Sequence, residues 1–247
     1  MEGTACYRYR QVARYLLDTG AAPVKLALDI GANVGDVTAE LLDAFPQAYV
    51  HAFEILPRLV NLLQARFAGQ ARVKIHHAAV TGQDGLAWIW EALPSDRPGW
   101  AGGSVVAGPE AGLPAAMYRM LPEPVEAISL DSIVDGLGSV DYVKSDCEGS
   151  EASFLPAASV TTLRRIRWLG GEYHGLARWW PVHQKLASTH RVNLVAEAQY
   201  ASRLGSFFAE RISEQPGLLG TEATRPQIYD WGLAEPLWWH PRKEAYG

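Results

Sequence analysis

Between Val24 and Val80 apolar strand-like runs take turns with helix-period stretches, and this alternation restricts the fold more than any other feature of the chain. Val24 to Leu28 reads as a buried strand, after which Val37, Leu41, Leu42 and Phe45 recur on one face of a helix. Tyr49 to Phe53 is a second strand. Pro57 suits a first helical turn, where its missing N–H is no loss, and Val60, Leu63 and Phe67 supply that helix with a buried stripe. Arg72 to Val80 makes a third strand. Such a β-α-β-α-β order needs right-handed crossovers, which place helices on both faces of a mostly parallel sheet and gather ligands at the carboxyl ends of its strands. The expected class is α/β.

The chain has 247 residues, 48% of them hydrophobic, enough to fill the core of one domain. That domain is expected over the whole chain, with a core at about 24–212, an N-terminal helical extension at 1–20 and a tail at 214–247. TGQDG marks a turn and LAWIW an added strand. Glu91 to Pro124 holds six prolines and five glycines with little periodicity, and reads as a long loop covering a site, with Trp100 as its lid residue. Regularity returns with a helix from Asp131, a strand at Val140 to Ser145, a helix after Gly149 and a strand at Ile166 to Gly170. Val192 to Ala198 and Ser206 to Ile212 close the pattern as a hairpin pair. The formal net charge is -5 and the 22 Lys and Arg are scattered, so no basic field awaits a nucleic acid. No apolar stretch reaches bilayer length and residues 1–20 lack a signal-peptide core, so no membrane partner and a cytoplasmic location are expected. Two cysteines are too few for a disulfide framework, and Cys147 reads as a small core residue.

The first strand runs into a turn, LALDIGANVGDVT, whose Gly31 lets a ligand approach the backbone. A dinucleotide fingerprint needs glycines at 31, 33 and 36, and this chain has Gly31, Asn33 and Asp36. Asp36 at a helix N-terminus would repel a pyrophosphate. S-adenosylmethionine carries a sulfonium and an ammonium and no phosphate, so Asp29 and Asp36 would attract it. Glu54, ending the second strand, stands where an acid accepts hydrogen bonds from ribose hydroxyls.

DIGANVGDVT, HAFEILP, SLDSIV and VKSDCEGSE, in this order, resemble the FkbM family of S-adenosylmethionine-dependent methyltransferases over roughly Val24 to Ile212. The resemblance implies a Rossmann-like, seven-stranded methyltransferase sheet with one antiparallel strand. It also implies O-methylation of a hydroxyl on a sugar, saccharide or polyketide-type natural product. By position it assigns Asp29, Gly31, Asn33, Gly35 and Thr38 to the cofactor turn, which Ala32 and Asp36 complete, and Glu54 to the ribose. Gly102 to Ser104 resembles a small-residue stretch near the cofactor.

An alcohol is a poor nucleophile and needs a general base or a metal. Asp146 ends the fourth strand, and GGEYHG puts Glu172 and His174 at the same edge of the sheet. His174, with an unperturbed pKa of about 6.5, is the expected base. Asp146 would orient it or contact the cofactor ammonium, and Lys144, one alternation away, would pair with a carboxylate or touch substrate. Glu148 and Glu151 read as helix-dipole acids. The competing mechanism places Mg²⁺ among Asp146, Glu172 and His174. His76 and His77 point to opposite faces and form no metal pair. Trp179, Trp180, Trp231, Trp238 and Trp239 suit a cap over a small-molecule or saccharide acceptor, core packing, or a homodimer contact. A nucleotide-dependent oxidoreductase and a noncatalytic cofactor-binding protein stay open beside the methyltransferase.

Overall fold

The computed structural model describes residues 23–93, 104–108, 111–196, 204–212, 227–229 and 236–238. Its first half follows the alternation closely: β1 (Leu26–Ile30), α1 (Asp36–Ala44), β2 (Tyr49–Glu54), α2 (Pro57–Arg66) and β3 (Val73–Thr81). Three short strands come next, β4 (Gly85–Ala87), β5 (Ile89–Ala92) and β6 (Ser104–Val106), then β7 (Tyr118–Met120), β8 (Val125–Ser129) and α3 (Leu130–Leu137). The second half holds β9 (Val140–Ser145), α4 (Glu151–Ala157), α5 (Val160–Arg164), β10 (Ile166–His174), α6 (Leu176–Leu186), β11 (His190–Ala196) and β12 (Leu204–Arg211). Two strands of the tail are described, β13 (Gln227–Tyr229) and β14 (Pro236–Trp238).

The main sheet runs β14-β13-β11-β12-β10-β9-β1-β2-β3-β8-β4. Its middle seven strands, β11 to β3, are parallel except for β12, which lies antiparallel between β10 and β11. The expected seven-stranded sheet is therefore present but widened, by β8 and antiparallel β4 on one edge and by β13 and antiparallel β14 on the other. From β1 the chain moves to β2 and β3, and later returns on β1's other side as β9. This switch point sets Asp29 beside Lys144 in register and opens the crevice where open α/β sheets bind ligands.

Both faces are covered, as continuous apolar strands such as Leu26–Ile30 require. Leu28, Ile30 and Val143 pack with Phe154, Leu155, Trp179 and Val182 from α4 and α6. Ala27, Val50 and Tyr142 pack with Val37, Leu41 and Phe45 on and beyond α1. Gly35 opens α1 at φ 88. A Cβ there would come within 2.7 Å of the Leu63 side chain, so the glycine lets α2 pack against the turn.

Three expectations are corrected. The segment at 91–124 is not structureless: β5, β6 and β7 form a separate three-stranded antiparallel sheet. Strands of three or four residues among prolines carry too little alternation to register as a pattern. LAWIW is two strands broken at Trp88. The fifth core strand continues through Gly170 and Gly171 to His174, because a Cβ at Gly171 would sit 1.8 Å from the Ser145 carbonyl oxygen and the glycine permits close approach to β9. The sequence does not announce helix α6, since Pro181 stands inside it and Gly175 offers no side-chain cap. Residues 1–20, Trp100, Gly102, Trp231 and Trp239 lie outside the described residues. Among the described residues no helix is long and apolar enough to cross a membrane.

Candidate active site

The turn after β1 is held from below. Asp29 is fully buried; one carboxylate oxygen accepts from the Thr38 hydroxyl at 2.6 Å and the other lies 3.0 Å from Lys144 Nζ. Lys144 also donates to the carbonyls of Ile30 and Gly31, at 3.2 and 2.6 Å. Of the roles expected for Lys144, as a catalytic residue pairing with a carboxylate or touching substrate, the pairing is present, while a side chain 2% exposed and spent on the turn is not placed to touch substrate. Asp29 is likewise unable to act as a free attractor for a cationic ligand. Asp36 pairs with Arg66 at 2.6 Å, so its charge is already matched. The glycine at 31 serves a different neighbour from the one expected, since a Cβ there would lie 1.9 Å from the Asp146 carbonyl oxygen. Its absence lets the β1 turn touch the β9 turn.

The turn's backbone donors face inward. Gly31 and Ala32 N–H both donate to the Phe53 carbonyl at 3.0 Å, Asn33 N–H donates to Glu54 Oε2 at 2.7 Å, and Gly35 N–H donates to the Ala32 carbonyl. A pyrophosphate is bound through just such N–H groups, and these four are committed elsewhere. Glu54 also accepts from the N–H groups of Ile55 and Leu56 through Oε1, at 2.9 and 3.0 Å. Oε2 carries one N–H and keeps a lone pair for a hydroxyl donor. Asn33 holds φ 51, a left-handed conformation that asparagine tolerates. Ser104 falls in β6, opposite Glu91 of β5. Its position gives no contact with the β1 turn among the described hydrogen bonds.

At the adjoining strand ends an imidazole sits among acids. His174 Nδ1 bonds Glu151 Oε1 at 2.9 Å, and Nε2 lies 3.5 Å from Glu148 and 3.6 Å from Glu172. Glu151 is 1% exposed and also accepts the N–H groups of Gly149 and His174 and the Cys147 thiol. Sequence reasoning missed it, because an acid in a first helical turn has an ordinary dipole explanation. Glu148 adopts φ 55, rare for a side chain of its size, which aims its carboxylate at the ring. Burial lowers the His174 pKa, yet the hydrogen bond and charge of Glu151 and the charges of Glu148 and Asp146 outweigh it and raise the pKa to about 9. The expected neutral histidine near pH 7 is corrected: the resting ring is an imidazolium. Burial, aided by the Asp146 and Glu151 charges against the opposing pull of His174, holds Glu148 above the usual carboxylate range. Burial and the Glu151 charge keep the Cys147 thiol protonated. One ligand atom each from Asp146, Glu172 and His174 lies within 4.8 Å of the others. His76 and His77 do part company, as expected: the first bonds His51, the second reaches the Ile55 carbonyl.

A doubly wound sheet with one reversed strand, a first turn without the dinucleotide glycines, and an acid ending the second strand are features of a Rossmann-like methyltransferase. More narrowly, the chain belongs to the family described by the Methyltransferase FkbM domain, whose model matches residues 29–207. Among solved structures it is similar to precorrin-6y C5,15-methyltransferase from Geobacter metallireducens GS-15, at 13% identity and TM-score 0.45, covering 82% of this chain and 87% of that one. It is also similar to a putative O-methyltransferase from Klebsiella pneumoniae, at 12% identity and TM-score 0.47, covering 86% and 83%. A third is the N-terminal domain of human METTL16 in complex with SAH, at 12% identity and TM-score 0.47, covering 85% and 71%. A search of curated proteins gave no match.

Proposed function

We propose that this protein methylates a hydroxyl of a sugar, saccharide or polyketide-type product, with S-adenosylmethionine as donor. The carrying observation is the pair of Glu151, which opens α4, and His174, which ends β10, next to a first turn four of whose N–H groups are already bonded within the fold. The donor set fits adenosine: Glu54 keeps acceptor capacity for ribose, and Asp146 supplies a carboxylate for the ammonium. S-adenosylmethionine supplies the electrophilic methyl group. Everything else falls to this chain. Glu151 fixes the ring through Nδ1, which leaves Nε2 as the atom that takes the hydroxyl proton once the resting proton has left. Glu148 and Glu172 flank Nε2 and offer that proton a place to go, at 3.5 and 3.6 Å. Alignment of acceptor oxygen, methyl and sulfur supplies much of the remaining rate.

A second reading rests on the Asp146, Glu172 and His174 grouping. Two carboxylates and one imidazole suit a hard divalent ion such as Mg²⁺, which would lower the hydroxyl pKa itself. One assay separates the two. With isotopically labelled methyl donor and a panel of polyols and extracts, label in an acid-stable ether supports O-methylation, and label on nitrogen or carbon overturns it. Loss of that activity in EDTA, restored by Mg²⁺, favours the metal; full activity in chelator leaves His174 as base.

A further inference from the structure

We propose that Lys144 is a positioning residue for the methyl donor, clamping the turn after β1 onto the end of β9 so that the backbone of that turn and Asp146 keep one fixed separation. This rests on the cofactor reading above. The acceptors described around the ammonium include Asp29 Oδ1 at 3.0 Å, the Ile30 carbonyl at 3.2 Å and the Gly31 carbonyl at 2.6 Å. The last two belong to residues where β1 ends and the turn departs. On the other side the Ile30 carbonyl accepts the Asp146 N–H at 3.1 Å, and the Asp146 carbonyl fills the space a Gly31 Cβ would need. Among the described contacts the two turns touch backbone to backbone, and Lys144, reaching from β9, grips the β1 side of that junction.

Stability does not explain a lysine here. Burying an ammonium and a carboxylate costs desolvation that their attraction barely repays, and apolar residues of like volume often do as well or better. Burial alone would favour the neutral amine, and Asp29, then Asp146, keep it charged. An apolar pair would fill the volume but leave the carbonyls of Ile30 and Gly31 without this donor, just where the turn must hold its shape. Asp29 passes the constraint on to α1 through Thr38, so strand, turn and helix are set by one buried cluster.

The test separates positioning from stability. SAH binding is measured by calorimetry, well below each protein's unfolding temperature, for wild type, Lys144→Met and the charge-neutral Asp29→Asn/Lys144→Met. Lys144→Met is expected to bind SAH at least about tenfold more weakly. The double variant should regain thermal stability, having no unpaired buried charge, while its SAH affinity stays low. Affinity within about threefold of wild type in Lys144→Met, or recovery of affinity along with stability in the double variant, overturns the inference. Should Lys144→Met fail to fold, the double variant decides alone by the same criterion. Wild type that takes up no SAH overturns the cofactor reading instead, and this inference with it.

Discussion

At the scale of single residues the site turns on His174 and Glu151. If Nε2 of His174 takes the hydroxyl proton, His174→Ala lowers turnover by roughly 10²–10⁴-fold and leaves SAH affinity near wild type, because the ring serves the acceptor and not adenosine. The pH profile gives a sharper check. With the ring's pKa at about 9, kcat/KM should climb from pH 7 toward pH 9, and Glu151→Gln should move that rise to lower pH by removing its largest supporting charge. A flat profile over this range excludes His174 as the base. Much of the chemistry was legible beforehand: Asp146, Glu172 and His174 do converge, and Glu54 does end the second strand. The partners were not. Nothing local in DIGANVGDVT says that Asp29 faces Lys144, since that pairing depends on β1 and β9 lying in register across more than a hundred residues.

Among the elements, the accessory sheet β6-β5-β7 is the piece that sequence periodicity did not disclose. Leu56, Leu59 and Ile89 pack with Val125 and Ala127, with Val106 and Leu121 alongside, and join this sheet to the start of α2 and to β8. Glu91 reinforces the joint by accepting from Arg58 of α2 and Arg119 of β7, each at 2.8 Å. Burial pushes the Glu91 carboxyl upward, but the two arginines win and hold it below the usual range. Both guanidinium groups are more than half exposed, so each pair alone is worth little. The acid itself is the sensitive partner, being nearly buried. Glu91→Leu is therefore expected to keep the main sheet intact and to speed amide exchange selectively at Trp90, Glu91, Ala92 and Tyr118 to Met120, as read by hydrogen-exchange mass spectrometry. Unchanged exchange there would mean that the apolar contacts suffice. The seven core strands and the first two helices were readable because each carries a long, single-period stripe. The flanking strands β8, β13 and β14 span three to five residues and are specified by their neighbours instead, while β4 lies partly in the strand expected at LAWIW.

For the molecule as a whole, the histidines set opposite limits on stability. His190 is fully buried; its Nε2 reaches the Ile166 carbonyl at 3.1 Å, which can only accept, so Nε2 carries a proton, and Nδ1 lies 2.7 Å from the Thr189 hydroxyl, which also donates to the Leu186 carbonyl at 3.3 Å. Burial, against the hydrogen bond to Ile166, drives its pKa down to about 4. His76, stacked on Phe53 and bonded to His51, is also lowered to about 4, first by burial and then by the charges of His51 and Lys74. In the unfolded chain these rings take up protons near pH 6.5, while in the fold they do not until about pH 4. The unfolded state binds more protons across that window, so stability falls as pH drops through it, by about 3 kcal/mol from His190 alone. His174 works in the other direction. Its folded pKa lies above the unfolded value, so its contribution is complete below pH 6.5 and disappears as pH rises toward 9. Urea unfolding from pH 4 to 9 should therefore show a maximum near pH 6.5, with an acid limb that flattens in His190→Gln, once allowance is made for that variant's lower plateau, and an alkaline limb that flattens in His174→Ala. A curve level between pH 6.5 and 5 would show that His190 is protonated in the fold.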